Sequence, residues 1–589
     1  MARFWQDAAR KKVSRRRVLK GAALSAAGIA GAAAFACAGD EEGGTPGVPP
    51  SPTPSEEQEP VIGGMGNGTM ADLYNMDPHK PIAFLTHVFG SWTYNRLMRF
   101  ATQRGILPDE LWYEPVPELA QKIENPEPLT FIFTLHPEAR WHDIDPVFGR
   151  EVTAEDVIYN YERFRNLSPN KDDWAMVDSV TASPDTKQIT IKLKHPYGLF
   201  LKRVASFNDL WLVAPELIEK DGDAEKRAVG SGPFIFEHYR RSVDFLWRKN
   251  PDYFEKDKWG NRLPYLDGLH LYVIPDPNTV MSQFLAKKLD ATYVQAALLN
   301  DIRAQAPEAR INKNLRNLTS FLYFEPASYT ENKPPFNDIR VRRAISMAID
   351  RDGLLKLISP EEGGEWPNII SAGMGRKWWV DPKSEEMGEP GKWYRYDPAE
   401  AKALLKAAGY EDGFECRFHY SSTVYTNIIT YYPVVAEALP GLMREVDIRL
   451  TSVPEDYIGQ YFPQTYSQGN FDGMAWGLLT VLPDAAGYIE MSYLPWGKGG
   501  ARNMSRVDDP ELVRNITDAV QTWDVDEVCQ KLRQIQKYVS DKMYYVPGVN
   551  PYEYSASWPV GGGGVNTSGP TTYSFGTEGT MWAWRYKGM

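Results

Sequence analysis

Residues 334–350 read PPFNDIRVRRAISMAID, and this stretch decides more about the fold than any other. Asn337 or Asp338 supplies the short polar side chain that accepts from the free amides at a helix start. From there Val341, Ala344, Ile345, Ala348 and Ile349 recur at three- and four-residue spacing, which predicts one buried helical stripe. Arg340, Arg342 and Arg343 fall on its flanks and read as a solvated, salt-bridged face.

The same grammar recurs on both sides. Asp397 caps a second helix, with Pro398 in its first turn, Glu400 three residues after the cap, an apolar face of Ala401, Leu404, Leu405 and Ala408, and Gly409 as its stop. Thr153 with Asp156 opens a third, continued by Val157, Tyr161 and Phe164. Leu129, Phe131, Phe133 and Leu135 alternate with less apolar neighbours, as do Ile189, Ile191 and Leu193, so both stretches predict half-buried strands. Ser183-Pro184-Asp185-Thr186 is the turn into the second. Helices and strands are mixed and no fixed-period repeat runs through them, which is the α/β class.

The chain has 589 residues, too many for one core, so two or more lobes are expected. Net charge is −12, and the first 36 residues hold eight basic residues and one acid, so the remainder carries −19. Nucleic acid is excluded as a partner, because its phosphates would be repelled. The three cysteines, Cys37, Cys416 and Cys529, form neither a disulfide framework nor a CxxC site. Cys416 and Cys529 read as two buried free thiols, with a bond between them as the alternative. The eight histidines show no HExxH and no short pair at ligand spacing, so no metal and no cofactor is expected.

Ser14-Arg15-Arg16-Arg17-Val18-Leu19-Lys20 precedes a weakly apolar run, Gly21 to Ala36, and resembles a twin-arginine export signal. A membrane span needs about 20 predominantly apolar residues, and this run is shorter and made of small side chains. An N-terminal membrane helix or a basic tail is the alternative reading. Ala34-Phe35-Ala36-Cys37 meets the small-x-small cleavage rule and puts a cysteine just after the cut, where a lipid attaches. A leucine is usual where Ala34 stands, which leaves a freely secreted chain as the alternative. Ala38 to Pro60 has no basic residue and almost no apolar one, and cannot bury enough surface to fold. As a spacer it would hold a body roughly 25 Å or more from the bilayer.

Several blocks occur in an order that carries a resemblance. They are Asn75-Met76-Asp77-Pro78-His79, Pro117-Glu118-Leu119-Ala120, Phe131 to Leu135 with Arg140-Trp141-His142-Asp143, and Val152 to Val157. Val229-Gly230-Ser231-Gly232-Pro233-Phe234, Arg248 to Phe254, Pro334 to Ile345 and Tyr396 to Tyr410 follow. Read in sequence, from about Met70 to about Pro547, they resemble the extracellular solute-binding family of ABC importers that includes the oligopeptide and dipeptide receptors. One departure is that the family's His-Asp-Gly is here His142-Asp143-Ile144, with an insertion through Gly149. His142 beside Asp143 invites a catalytic reading, but in the family this block is structural.

The resemblance implies a two-lobed periplasmic-binding-protein fold, type II, with an extra inserted domain and a hinge between lobes. On that pattern residues 1–36 are the signal peptide and 37–60 the anchor cysteine with its spacer. Residues 61–115, 220–318 and 541–589 form lobe I, 116–219 the insert, and 319–540 lobe II. Ligand would lie between the lobes, and their closure would tell a transporter that the receptor is loaded. Implied partners are a permease with its ATPase subunits, a small-molecule or peptide ligand, and the membrane through the lipid anchor. The receptor would be monomeric and extracytoplasmic.

Peptide-binding members meet the peptide's α-ammonium with an aspartate three residues after a tryptophan. Here that run is Ala475 to Pro483, Trp476 keeps its place, and the aspartate position is Leu479. An ammonium left facing leucine would cost several kcal/mol. Either the ligand lacks a free α-amine, the reading preferred here, or another acid such as Asp484 or Glu325 reaches the cleft. Trp476 is either core or a stacking platform, and Tyr425, Tyr488, Tyr493 and Trp496 would add flat surface. Gly230, Ser231, Gly232 and Pro233 are hinge or cleft-wall candidates, or an ordinary turn. A neutral ligand such as an oligosaccharide also fits, as does a sensory role for the same receptor. An extracytoplasmic hydrolase would need a GxSxG elbow, a Cys-His pair or a metal helix, and none is visible, so no catalytic residue is expected.

Overall fold

The computed structural model describes residues 63–558 except 74, 81–83, 101–114, 207–209, 257–259, 316–317, 360–362, 423–430 and 481–483. The leader, Cys37 with its spacer, and Tyr425 lie outside the described residues.

Alternation dictates the sheets. Phe131, Phe133 and Leu135 turn inward from Thr130–Leu135, as do Ile189, Ile191 and Leu193 from Gln188–Leu193. These strands pair antiparallel at the centre of a four-stranded sheet, flanked by Ala120–Glu127 and Val177–Ala182. A second sheet runs in the order Met65–Thr69, Gly268–Tyr272, Asp244–Lys249, Phe234–Arg240. A third places Asn550–Ser557 between Ala291–Val294 and Arg310–Leu315. The fourth has five strands in the order Ile448–Glu455, Phe414–Ser421, Met474–Thr480, Leu318–Phe324, Val546–Pro547.

That five-stranded sheet separates two cores. Phe321, Tyr323 and Ala475 face a large apolar cluster that continues through Trp141, Trp211 and Trp247, whereas Leu322, Phe324, Met474 and Trp476 face a second cluster with Val341, Ile345 and Val435. Side chains two apart share a face, so one strand serves both cores.

Helix starts obey their caps. Asp338 accepts from Arg340 N ahead of Ile339–Met347, and Asp397 accepts from Glu400 N ahead of Pro398–Ala407, which ends before Gly409 at φ +91°. Asp156 accepts from Thr153 N at 2.9 Å at the start of Ala154–Leu167. One expectation is corrected. Arg340 and Arg343 pair with Asp338 and Asp541, but Arg342 is buried and donates to the carbonyls of Phe336, Asn337 and Lys542, because the end of the helix Val525–Lys542 covers that flank. Cys416 and Cys529 are both free thiols, and burial pushes Cys416 up to about 12.

The family-like blocks have structural work. Asp77 is fully buried against Arg163, whose Nη1 donates to Asp77 Oδ1 at 2.9 Å, while His79 Nε2 lies 2.8 Å from Trp211 O. Glu118 accepts from Asn95 Nδ2 at 2.8 Å and from Arg96 N. His142 is buried with Nε2 3.0 Å from Gly232 O, and burial lowers its pKa to about 4. Among the described residues both ring nitrogens face backbone groups, Nε2 the Gly232 carbonyl and Nδ1 the Gly230 amide.

Candidate functional site

The parallel strands Phe414–Ser421 and Met474–Thr480 pair only as far as Tyr420 opposite Trp476. Past that point they part, and the hydroxyls of Tyr432 and Tyr461 donate to the Trp476 carbonyl that strand pairing leaves. Such a divergence at strand ends is where open α/β sheets hold ligands. On the other side, Leu318–Phe324 runs antiparallel, with Thr319 opposite Leu479 and Tyr323 opposite Ala475.

Facing the Tyr323 side is the helix Ala485–Tyr493, capped by Asp484, which accepts from Ala486 N at 3.0 Å. The helix is apolar nearly all round, and Tyr488 and Tyr493 are both buried. Tyr493 stacks on Tyr545 with centroids 4.9 Å apart, and Tyr323 meets Tyr545 edge-on at 4.9 Å. Tyr545 Oη lies 2.9 Å from Ser492 O and 2.8 Å from Asn503 Oδ1, its one proton shared between these two acceptors. Arg502 joins this helix through its backbone N–H to Met491 O, and its guanidinium lies 5.5 Å over Tyr466. Burial among these rings raises Tyr323, Tyr488, Tyr493 and Tyr545 well above the ordinary phenol range, so all four are neutral donors. Tyr323 Oη and Arg502 Nη1 are buried with no hydrogen-bond partner among the described residues. An unpaired buried donor costs about 1–3 kcal/mol, more for a charged one.

The third wall is the segment around Phe200–Val204. Arg203, buried, reaches Asp484 Oδ2 at 3.3 Å, Glu490 Oε2 at 3.4 Å and Asp173 Oδ2 at 3.5 Å. Tyr197 Oη donates to Glu490 Oε2 at 2.8 Å and accepts from Arg203 Nη2 at 3.0 Å. Burial pushes the Glu490 carboxyl up to about 7, with Arg203 pulling the other way, and raises Asp173 as well.

The expected site residues divide accordingly. Tyr488, Tyr493 and Asp484 come together. Trp476 proves to be core: its indole is fully buried in the second cluster, stacked on Tyr432 at 6.0 Å, behind the face that Tyr323 presents. Trp496 stands apart, 41% exposed, under the Arg506 guanidinium at 3.4 Å. Glu325 is already engaged. It follows the strand end two residues after Tyr323, where its carboxylate is held by Lys333 Nζ at 2.8 Å. Leu479 has its backbone in the sheet, but its side chain lies outside the described residues.

Gly230 to Pro233 forms a seam with different neighbours. Gly232 N donates to Thr93 O at 3.0 Å, Ser231 Oγ to Asn95 Oδ1 at 2.9 Å, and His142 N to Gly230 O at 2.8 Å. A Cβ on Gly230 would overlap the Thr93 carbonyl oxygen, so close backbone approach explains the glycine, and φ is not positive. These bonds tie the segment to residues 93–95 and 142, apart from the five-stranded sheet.

Residues the sequence did not single out include Arg203, Asp173, Glu490, Tyr197, Tyr323 and Arg502. Each is an unexceptional residue in its own segment, and the chain gives no local signal that they meet. Among the described residues no group of His, Cys, Asp and Glu could hold a metal ion, and no helix is long and apolar enough to cross a membrane.

Residues 114–500 match the family model described as bacterial extracellular solute-binding proteins, family 5 Middle. The chain is 27% identical over 346 residues to di/tripeptide-binding protein 2 of Pseudomonas aeruginosa, a match covering 54% of this chain and 58% of that protein. It thus spans rather more than half the length of such curated relatives. Among solved structures it is similar to the Agrobacterium tumefaciens protein AgaA in complex with agropinic acid, with TM-score 0.72, 20% identity and coverage of 89% and 98% of the two chains. It is also similar to the Helicobacter pylori periplasmic binding protein DppA in complex with the peptide STSA, with TM-score 0.69, 21% identity and coverage of 85% and 94%. These neighbours share the two-lobed architecture. Family match, ordered motifs and fold agree, and the chain belongs to the bacterial extracellular solute-binding proteins of family 5.

Proposed function

We propose that the protein captures a small, oxygen-rich organic solute, one without a free α-ammonium, and delivers it to the permease and ATPase subunits of an ABC importer. The solute lies between the Tyr323 face of the five-stranded sheet, the helix Ala485–Tyr493 and the Tyr197–Arg203 segment. The protein works as a monomer outside the cytoplasmic membrane, exported by its twin-arginine leader and held by lipid on Cys37, and it binds without catalysis. In the division proposed from the sequence, these walls come from the insert (116–219) and lobe II (319–540), so the solute bridges parts that move.

One observation carries the reading of the ligand. Two buried donors, Tyr323 Oη and Arg502 Nη1, have no acceptor among the described residues, and the two acids that could stand in for the missing aspartate are engaged, Asp484 by Arg203 and Glu325 by Lys333. Acceptor oxygens on a solute, a carboxylate above all, answer the two donors, and the position after Trp476 where an ammonium would need an acid is Leu479. The family membership supports capture as the task, and AgaA with agropinic acid supports an acidic solute on this fold. The relatives named for dipeptides favour a peptide as the second reading.

Mass spectrometry of the ligand that co-purifies with the protein, released by gentle denaturation, tests this. The expected species carries a carboxylate and no free primary α-amine, and Arg502→Met lowers its recovery at least about tenfold, the loss of one charged hydrogen bond. Recovery of peptides with free N-termini, retained by Arg502→Met, would overturn it.

A further inference from the structure

Arg203 stands between carboxylates from two separate parts of the chain. Asp173, in the short helical turn Lys171–Trp174, comes from its own side, and Asp484 and Glu490 come from the far side on the helix Ala485–Tyr493. All four groups are nearly or wholly out of water, Glu490 being the most open at 19%. Tyr197 Oη bridges the same Arg203 and Glu490. The helix is cut to receive the cation. A Cβ at Gly487 would lie 2.7 Å from Arg203 Cζ and overlap Nη2, so only glycine leaves the guanidinium its seat. Beside it the two backbones touch directly, Gly198 N donating to Thr522 O at 2.9 Å.

We infer that Arg203 and Glu490 form a proton-loaded latch, which draws the insert onto lobe II and closes the molecule more firmly as pH falls. The inference rests on the proposed reading of a cleft that closes, and concerns what drives the closure. One cation meets three carboxylates here, an excess of negative charge that water screens when the surfaces are apart and that nothing screens when they meet. Besides Arg203, the groups facing Glu490 are Tyr197, Asp484 and Asp173, and those facing Asp173 are Asp484, Asp172 and the more distant Arg502. Tyr197 stays neutral, its phenol raised far by burial. Closure is therefore completed by protons.

The sign follows from the closed form holding Glu490 at about 7 against an ordinary 4.5. A carboxyl whose pKa is raised on closing opposes closure while it is ionised, and the opposition is relieved as pH falls from about 7 toward 4.5. Between pH 8 and 5.5 a group shifted that far moves the closing equilibrium about 25-fold toward the closed form.

Small-angle X-ray scattering on the ligand-free protein reads this without knowledge of the solute. The wild type should have a smaller radius of gyration at pH 5.5 than at pH 8, Glu490→Gln should be compact at both, and Arg203→Met extended at both. Asp173→Asn, also nearly isosteric, provides a second neutral variant that should move the same way as Glu490→Gln. Circular dichroism at pH 8 confirms that each variant folds, and hydrogen exchange at the Gly198 amide, normalised to its intrinsic rate, reports the seam itself. A wild-type radius that ignores pH, or a Glu490→Gln variant that tracks the wild type, overturns the latch. Since no ligand is present, failure of the solute assignment would leave this result standing, and failure of the latch would leave the solute assignment standing.

Discussion

Arg163→Met removes the cation from a deeply enclosed ion pair in the larger apolar core. Asp77, wholly buried, receives Arg163 through two nitrogens, and among the described residues the His79 amide, at 3.1 Å, is the further donor to its side chain. Left behind, its carboxylate is a buried charge without a counter-ion, which costs about 3–5 kcal/mol at neutral pH. The pH dependence then changes sign. In the wild type burial pushes the Asp77 carboxyl up, but the hydrogen bonds and charge of Arg163, with His79, more than offset it and hold the pKa below the ordinary carboxylate value. The pair thus contributes stability that is present above the ordinary value and lost only as pH falls through the depressed one. In Arg163→Met nothing offsets burial, the pKa rises, and protonation relieves the protein as pH falls, so the deficit should be largest at pH 7–8 and shrink toward pH 5. Urea unfolding of the wild type, Arg163→Met, Asp77→Asn and the double variant, followed by tryptophan fluorescence, measures it. The double variant should be more stable than Arg163→Met alone, because the orphaned charge has gone with its partner. An Arg163→Met cost under about 1 kcal/mol, or single effects that simply add in the double variant, would refute the argument.

Three further outcomes are expected. His79 and His142 are buried neutral with pKa values lowered to about 4 by burial, so each contributes stability that is complete above pH 6.5 and lost as pH falls toward 4, up to about 3 kcal/mol each; the urea midpoint should fall over that window, and the part due to His142 should vanish in a His142→Asn variant that folds. Gly230→Ala forces a methyl into the Thr93 carbonyl and should cost about 1–3 kcal/mol in a thermal melt, whereas Gly222→Ala, with open space around its Cβ but a positive φ, serves as the comparison for strain without a clash. Gly487→Ala should evict Arg203 from its seat and reproduce the extended scattering profile of Arg203→Met, even though alanine is the better helix former by about 1 kcal/mol; a compact Gly487→Ala protein at pH 5.5 contradicts the seat.

Local grammar was legible where one segment settles the matter. Asp338, Asp397 and Thr153 cap their helices because each cap depends on residues within four positions, and the strands around Phe131 and Ile189 follow from alternation alone. Arg342 escaped that logic because its burial comes from Lys542, at the end of another helix. The site was harder for the same reason. Asp484 is visible as an acid after a proline, but its role depends on Arg203, and Arg203 meets Glu490 across 287 positions of chain. Trp476 lines up in sequence with a ligand-binding position, yet which face of a strand an indole takes depends on register with Tyr323 and Tyr432, which only the assembled sheet defines. The aromatic run Tyr457–Tyr466 adopts a wide π-type turn, for which the three-and-four spacing rule gives no warning.

The strand Asn550–Ser557 has a consequence for how the molecule comes into being. It separates Ala291–Val294 from Arg310–Leu315, and its first residues pair with Gly364–Glu365. Until the ribosome has made Ser557, two neighbours synthesised more than 240 positions earlier have a gap where their shared partner belongs. Each meanwhile presents an open edge to any other chain nearby. The five-stranded sheet also waits for Val546–Pro547 at its border. A nonsense codon or proteolytic nick just before Asn550 therefore leaves those edges permanently unpaired, and the truncated product is expected to aggregate.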